Sequence, residues 1–364
     1  MSFPQLSGHA NSIQLTADGT LLIKQTLLLE HEFYTMMEQA RAMGARFVSK
    51  FYGVLTESNV GVEALNGIEG EVPKTSTGDT NAKQFLVLSN LINSFKKPNV
   101  LDLKLGTVLY DELDQACSED KKARMIKTAR ETTTGECGLR LTAFQVNTNL
   151  LMPVTTPKIY GKSLKKEQLP EGIRRVFPVL GEPIPISVPG AASPSLDLGL
   201  PPSILLPILR AIHNSLTHLH SILKDIEIRI IGGSLLVVWE GDQERAQEGV
   251  NWMKERERMI RERIKRDFGD DNDEEYYSDD DDDDEDTAAS QSLPSEPLPN
   301  REKPKRKPSA PYKIALIDFA HTRFVPGQGS DSGVLLGLET FAELIEDRIK
   351  EVEESERGRT EEPG

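Results

Sequence analysis

The sequence predicts an α+β protein interrupted by an unpacked acidic insert, on three observations. Up to residue 105 the signals are mostly short strands around one helix. From there on, longer helical patterns alternate with apolar strands. Between Asp267 and Asp286, "DFGDDNDEEYYSDDDDDDED" holds fourteen acidic residues and no Lys or Arg, a composition that cannot bury a core. A chain of 364 residues suffices for two modest domains or one large one.

In order, "TADGTLLIKQ" reads as a tight turn at Asp18-Gly19 running into a strand. "LLLEHEFYTMMEQARAMG" has Leu29, Phe33, Met36, Met37 and Ala40 at helical spacing, with Gly44 as a stop. "FVSKFYGVL" and "KQFLVLSNLI" read as strands on either side of a surface loop around residues 66–82. "PNVLDLKLG" is the next strand, and "EDKKARMIKTARETT" a basic helix. "GLRLTAFQV" is a strand, and residues 178–202 are Pro-rich and irregular. "SILLPILRAIHNSLTHLHSILKD" is the strongest helical pattern, bent or begun at Pro207. "IEIRIIGGSLLVVWEG" is a strand with a Gly-Gly break, and "ERAQEGVNWMKERERMIRERIKRDF" an exposed charged helix. After the acidic block, expected to be disordered, "PYKIALIDFAHTRF" is a strand and "GVLLGLETFAELIEDRIKEVEE" a final amphipathic helix.

The net charge of −15 is a local property: with the fourteen acidic residues set aside, the remainder sums to about −1. A basic, phosphate-binding pocket is therefore compatible with the acidic total. Two cysteines, Cys117 and Cys137, stand in no metal-ligand spacing and exclude a disulfide framework. The N-terminus shows no charged region followed by a long apolar core, and no apolar run is long enough for a bilayer. The expectation is a soluble intracellular monomer without a membrane anchor. Direct DNA binding is not expected, because there is no recognition-helix motif and the acidic block would repel phosphates.

Two stretches carry candidate chemistry. In "PNVLDLKLG" the alternation of a strand sets Leu101, Leu103 and Leu105 on one face and Asp102 with Lys104 on the other. The pair reads either as the solvated face of a half-buried strand or as a site. In "KIALIDFAHT" an apolar strand ends at Asp318, where a carboxylate either caps a turn or holds Mg2+ between nucleotide phosphates. Lys24, on an early strand, has Glu30 and Glu32 on the following helix as possible partners. The run Lys121, Lys122, Arg124, Lys127, Arg130 is a solvated face or a polyanion cluster.

Taken together these stretches resemble the inositol polyphosphate kinase family. "PNVLDLKLG" is similar to its P-x-x-x-D-x-K-x-G substrate motif, "GGSLLVV" to its S-L-L segment, and "IDFAHT" to its D-F-A-H metal motif. "GTLLIKQ" with "EHEFY", "YGKSL" and "GVLLGL" occur in the family order, so the resemblance covers roughly residues 18–345 without the inserts. "KLGTVLYDE" resembles the multikinases of that family. The acidic run resembles that of fungal multikinases, which also act in transcriptional control of arginine metabolism.

The resemblance implies a two-lobed, protein-kinase-like fold: residues 1–97 as the ATP-binding lobe with its hinge, 98–265 and 310–350 as the second lobe, 266–309 as the insert, and 351–364 as a flexible tail. It implies ATP and Mg2+ as cofactors and inositol polyphosphates as substrates. Lys24 would hold ATP phosphates, the backbone of Ser89 and Leu91 would meet adenine, and Asp102 the ribose. Lys104 would reach the acceptor hydroxyl, and Asp318, with Ser234 nearby, would ligate the metal. The inositol phosphate would lie against Lys104, Lys121, Lys122, Arg124, Lys127, Arg140, Lys162 and His321. Lys162 stands where the family often has arginine, keeping charge without the bidentate fork. Transcription-factor partners through the acidic insert are a further expectation. So is a nuclear and cytoplasmic location, with "REKPKRKP" at 301–308 either a localisation signal or a solvated basic run. Two other readings stay open: a hexakisphosphate kinase making pyrophosphates, and a transcriptional cofactor.

Overall fold

Asp18 builds the first turn, with Oδ1 accepting from Thr16 Oγ1 at 2.6 Å and from the Thr20 N–H at 3.0 Å, while Gly19 takes φ 75°. The turn joins β1 (Ile13–Leu15) to β2 (Leu21–Gln25). Then follow α1 (Leu28–Ala40), a 3-10 turn Ala45–Phe47, β3 (Phe51–Thr56) and β4 (Gln84–Ser89). These strands form one antiparallel sheet in the order β1-β2-β4-β3. The computed structural model describes residues 13–40, 45–56, 84–114, 117–147, 153–182, 198–268 and 308–361. The loop expected at 66–82 lies outside them, as do Gly44, most of the Pro-rich segment and nearly all of the insert.

Residues 90–97 lead from β4 into β5 (Pro98–Leu105), which belongs to a second sheet. Next come α2 (Glu119–Glu131), α3 (Thr133–Cys137), β6 (Leu139–Val146), β7 (Val154–Thr156), α4 (Lys158–Ser163) and α5 (Leu169–Val176). α6 (Pro202–Lys224), β8 (Ile228–Ile230), β9 (Ser234–Glu240) and α7 (Gln243–Phe268) precede β10 (Tyr312–Ile317), β11 (Thr322–Phe324) and α8 (Ser332–Glu361). The second sheet is antiparallel in the order β10-β9-β5-β6-β7, and β11 pairs with β8 apart from it.

β5 is the central strand, so it is buried on both faces. The solvated face considered for it is corrected: Asp102 is 2% exposed. Leu101, Leu103 and Leu105 join Leu235, Val237, Leu139 and Leu141 in the main core, with Ile208, Leu209 and Ile212 of α6 and Leu338, Phe341 and Ile345 of α8. α6 runs through Pro207, having begun at Pro202. The missing N–H costs roughly 3 kcal/mol in a helix interior, offset by burial of Leu206, Ile208 and Leu209 around it.

Three other expectations change. In α1 Met36 is exposed, and the inward face is Glu30, Phe33 and Tyr34, with Met37 packed against the core as expected. Two aromatic contacts to one ring explain this choice, since Phe33 stacks on Phe319 at 3.9 Å between centroids and Tyr34 meets the same ring edge-on at 5.5 Å. α7 continues to Phe268, past the boundary set at 265. Residues 351–361 are helix rather than a flexible tail, because Val352 is buried and Glu351 bonds Arg174 and Arg348.

Gly161 in "YGKSL" has a packing reason: a Cβ there would lie 1.7 Å from the Leu141 carbonyl oxygen, so α4 can cross β6 only with glycine at that point. Among the described residues no helix is long and apolar enough to cross a membrane.

Candidate active site

Three strands from two sheets converge on one carboxylate. Lys24 stands on β2 opposite Leu86 and shares the sheet face of Leu22, Leu86 and Leu88, which turns toward α1 and the main core. Its Nζ donates to Glu30 Oε1 at 2.8 Å and to Asp318 Oδ1 at 2.9 Å. Lys104, on β5, donates to Asp318 Oδ2 at 3.1 Å and to the Gly232 carbonyl at 2.8 Å. Asp318 follows β10 and, alone among non-glycine residues described, has a left-handed backbone, φ 67°. Asp tolerates that region better than most residues, and the turn swings the carboxylate off the sheet edge toward both lysines.

Burial works against the Asp318 charge, but Lys24 and Lys104 outweigh it and bring its pKa down to about 2. Burial likewise opposes the Lys24 charge, and Asp318 with Glu30 raises its pKa above the ordinary value. The Lys24–Asp318 pair is thus held in its charged form at neutral pH. Glu30, not Glu32, is the helix partner of Lys24: it is 1% exposed and also accepts the Phe319 N–H at 3.2 Å.

Register sets the neighbours of Lys104. Ser234 on β9 and Arg140 on β6 lie directly opposite it, so the three share one face of the sheet. A bulge between Asp102 and Leu103 leaves Asp102 opposite Ala143 and Leu236. Both Asp102 oxygens, Ser234 Oγ and two Arg140 nitrogens are buried without a hydrogen-bond partner. Buried polar atoms without partners are uncommon in folded proteins, and these concentrate beside Lys104. Burial lowers the Arg140 pKa, and the nearby Asp102 charge offsets part of that.

The other expected residues are more scattered. Lys121, Lys122, Arg124 and Lys127 lie on α2, which buries no residue. Lys122 sits over the Tyr110 ring at 5.2 Å, and Lys127 pairs with Glu131 at 3.7 Å. None of the four bonds Lys24, Lys104 or Asp318 among the described residues. Lys162 is exposed on α4. Arg140 is only 9% exposed, since it stands inside the sheet rather than on a rim. His321 places Nδ1 3.6 Å from Asp111 Oδ2. At the expected hinge the Ser89 N–H is already taken by the Lys50 carbonyl at 2.9 Å, and Ser89 Oγ accepts the Lys50 N–H at 3.0 Å. The Ser89 N–H is therefore already engaged by Lys50.

Sequence reasoning missed Asp111, Arg323 and the Gly232 carbonyl. The last had a visible signal, the Gly-Gly break that lets β8 turn into β9, with Gly232 at φ 71°.

Asp318 is the residue that could hold a divalent ion, and both its oxygens here accept from Lys24 and Lys104. Asp318 is ionised, and no cluster of three or more His, Cys, Asp or Glu occurs among the described residues. An ion bound through one carboxylate, with phosphate oxygens and water completing its shell, is the pattern of Mg2+ at nucleotide sites.

A family model described as inositol polyphosphate kinase matches residues 85–346. The inositol polyphosphate multikinase of Saccharomyces cerevisiae is 28% identical over 93% of this chain and 95% of its own. Inositol hexakisphosphate kinase 1 of Homo sapiens is 25% identical over 75% of this chain, which spans about half of that relative (54%). In fold, the chain is similar to a crystal structure of a Saccharomyces cerevisiae inositol phosphate multikinase in complex with ADP and Mn2+. That match has a TM-score of 0.54 and 22% identity, covering 91% of this chain and 100% of the other. With its two sheets meeting at Lys24, Lys104 and Asp318, the chain belongs to the inositol polyphosphate kinase family and is a kinase.

Proposed function

We infer that the chain is an ATP- and Mg2+-dependent inositol polyphosphate multikinase, carrying inositol trisphosphate and tetrakisphosphate to the pentakisphosphate. The observation that carries the reading is the pairing of Lys24 and Lys104 with opposite oxygens of Asp318. Phosphoryl transfer asks the protein mainly for positioning and charge compensation, and this arrangement supplies both. In this reading Lys24 meets nucleotide phosphates from the small sheet and is held by Glu30. Asp102 meets the ribose, and its unpartnered oxygens suit hydroxyl donors. Lys104 approaches from the large sheet, where its ammonium offsets charge on the transferring group. The acceptor hydroxyl oxygen forms the new P–O bond, its proton passes to solvent, and the bond between the γ-phosphorus and the bridging β-phosphate oxygen breaks to leave ADP. The metal, held by Asp318, neutralises phosphate charge when bound.

The multikinase branch is favoured over the pyrophosphate branch by length: the yeast multikinase aligns along 95% of itself, the human hexakisphosphate kinase along 54%. The transcriptional and nuclear roles rest on residues 266–309, of which 269–307 lie outside the described residues. They are proposals from composition and from the resemblance of the acidic run to that of fungal multikinases.

The test is incubation with Mg-ATP and, separately, inositol tris-, tetrakis- and hexakisphosphate, with products resolved by anion exchange. Conversion of trisphosphate to pentakisphosphate is the expected result. Turnover of the hexakisphosphate alone moves the chain to the pyrophosphate branch.

A further inference from the structure

The loop after Lys104 and the turn after Asp318 meet a second time, beyond the ion pair that already joins them. Asp111, 5% exposed, directs Oδ2 to His321 Nδ1 at 3.6 Å and bonds Arg323 Nη2 through the same oxygen. Its Oδ1 accepts the Leu113 N–H at 3.0 Å, which fixes the orientation of the carboxylate itself. His321 and Arg323 remain partly exposed on their outer sides, at 32% and 24%. With Nδ1 turned to the carboxylate, Nε2 is the imidazole nitrogen left for another partner.

A buried carboxylate at the edge of a site for a polyanion repels the ligand unless cations cover it. Here a guanidinium covers it and an imidazole flanks it, so the negative charge is used inward while both covering groups look outward. A tie needed only for packing could have been made with an apolar contact, at no desolvation cost.

We propose that Asp111 is a positioning residue for the phosphorylated acceptor: it holds His321 and Arg323 at one edge of the Lys104–Asp318 pair, where both meet phosphate groups of the inositol phosphate. This rests on the kinase reading above. Asp111 itself touches neither reactant, and Arg323 is added to the acceptor-binding groups.

The experiment compares the full chain with Asp111→Asn, which keeps an acceptor for the Leu113 N–H. KM for inositol trisphosphate is expected to rise about tenfold, while KM for ATP stays within about twofold. In a His321→Ala, Arg323→Ala background the same substitution is expected to add less than about twofold, because the groups it acts through are gone. An unmoved KM for the trisphosphate, equal rises in both KM values, or full additivity in that background overturns the proposal. Should the Asn variant not accumulate as folded protein, Arg323→Lys probes the contact from the other side. The same split between the two KM values is expected there, and its absence counts against the proposal. A wild-type chain that turns over no inositol phosphate overturns the kinase reading and this inference with it. Normal wild-type turnover with an unmoved variant overturns the inference alone.

Discussion

Lys24 Nζ donates to Asp318 Oδ1 at 2.9 Å across a sequence separation of 294 residues. The bond joins the small sheet to the end of β10 in the large one, and Lys104 holds the other oxygen of the same carboxylate. One acidic side chain thereby sets the distance between the lysine assigned to the nucleotide and the lysine assigned to the acceptor. The left-handed backbone at Asp318 costs of order 1–2 kcal/mol for an ordinary L-residue, less for aspartate. The two ammonium bonds over-determine that conformation.

Glu30 supports this arrangement from behind, since it bonds Lys24 and the Phe319 N–H through Oε1. Glu30→Gln keeps the shape and removes the charge. KM for ATP is expected to rise about tenfold, with stability lower by roughly 1–3 kcal/mol from a buried bond network left incomplete. Steady-state kinetics and denaturant unfolding check the two effects separately. An unchanged KM for ATP would detach Glu30 from the role given to Lys24.

Phe319, fully buried, fills the space between α1 and the turn after β10 by stacking on Phe33 at 19° between planes. Phe319→Ala is expected to destabilise the chain by about 3–5 kcal/mol through a cavity at the seam between the sheets. Urea unfolding gives the number directly, and a loss below about 1 kcal/mol would mean that the seam collapses around the missing ring.

The helix end at 351–361 makes a prediction about acid. Burial works against the Glu351 charge, yet hydrogen bonds and charge from Arg174 and Arg348 prevail, so its pKa lies below the ordinary 4.5. A depressed carboxylate contributes stability that is complete above its unfolded pKa and is lost as pH falls through the folded one. Glu351→Gln is therefore expected to cost stability at pH 7, and the gap to wild type should close as pH falls below about 4.5. Thermal unfolding across that range measures it. A gap that stays constant with pH would assign the effect to shape rather than charge.

Much of the fold was legible because the chain states its periods plainly. The alternation in "PNVLDLKLG" and the 3.6-residue spacing from Ile204 to Leu223 place β5 and α6 correctly. Face assignment was harder. Leucines on alternate positions look the same in a half-exposed strand and in a central one, and only the neighbours β9 and β6 decide that Asp102 is buried. Met36 and Tyr34 are two residues apart in α1, about 200° around its axis, so only one of them can face the core, and it is the Phe319 ring from the far end of the chain that selects Tyr34.

The site divides along the same line. Lys24, Lys104 and Asp318 were visible because each sits in a motif at the end or middle of a strong strand. Asp111 and Arg323 were not, since a lone acid in a loop and a lone arginine on a three-residue strand carry no local signal. Their relation exists only once Thr322–Phe324 folds back beside the loop after β5.

The most direct test of the account is Lys104→Ala, assayed for nucleotide binding and for phosphoryl transfer in the same preparation. Calorimetry with Mg-ATP is expected to give a Kd within about threefold of wild type, because Lys24 and Asp318 remain. Transfer to inositol trisphosphate is expected to fall by about 10²–10³ or more, the scale seen when one charge-stabilising donor is removed. A folded Lys104→Ala chain that still transfers phosphate at the wild-type rate would contradict the assignment of the Lys24–Asp318–Lys104 cluster as the site of transfer.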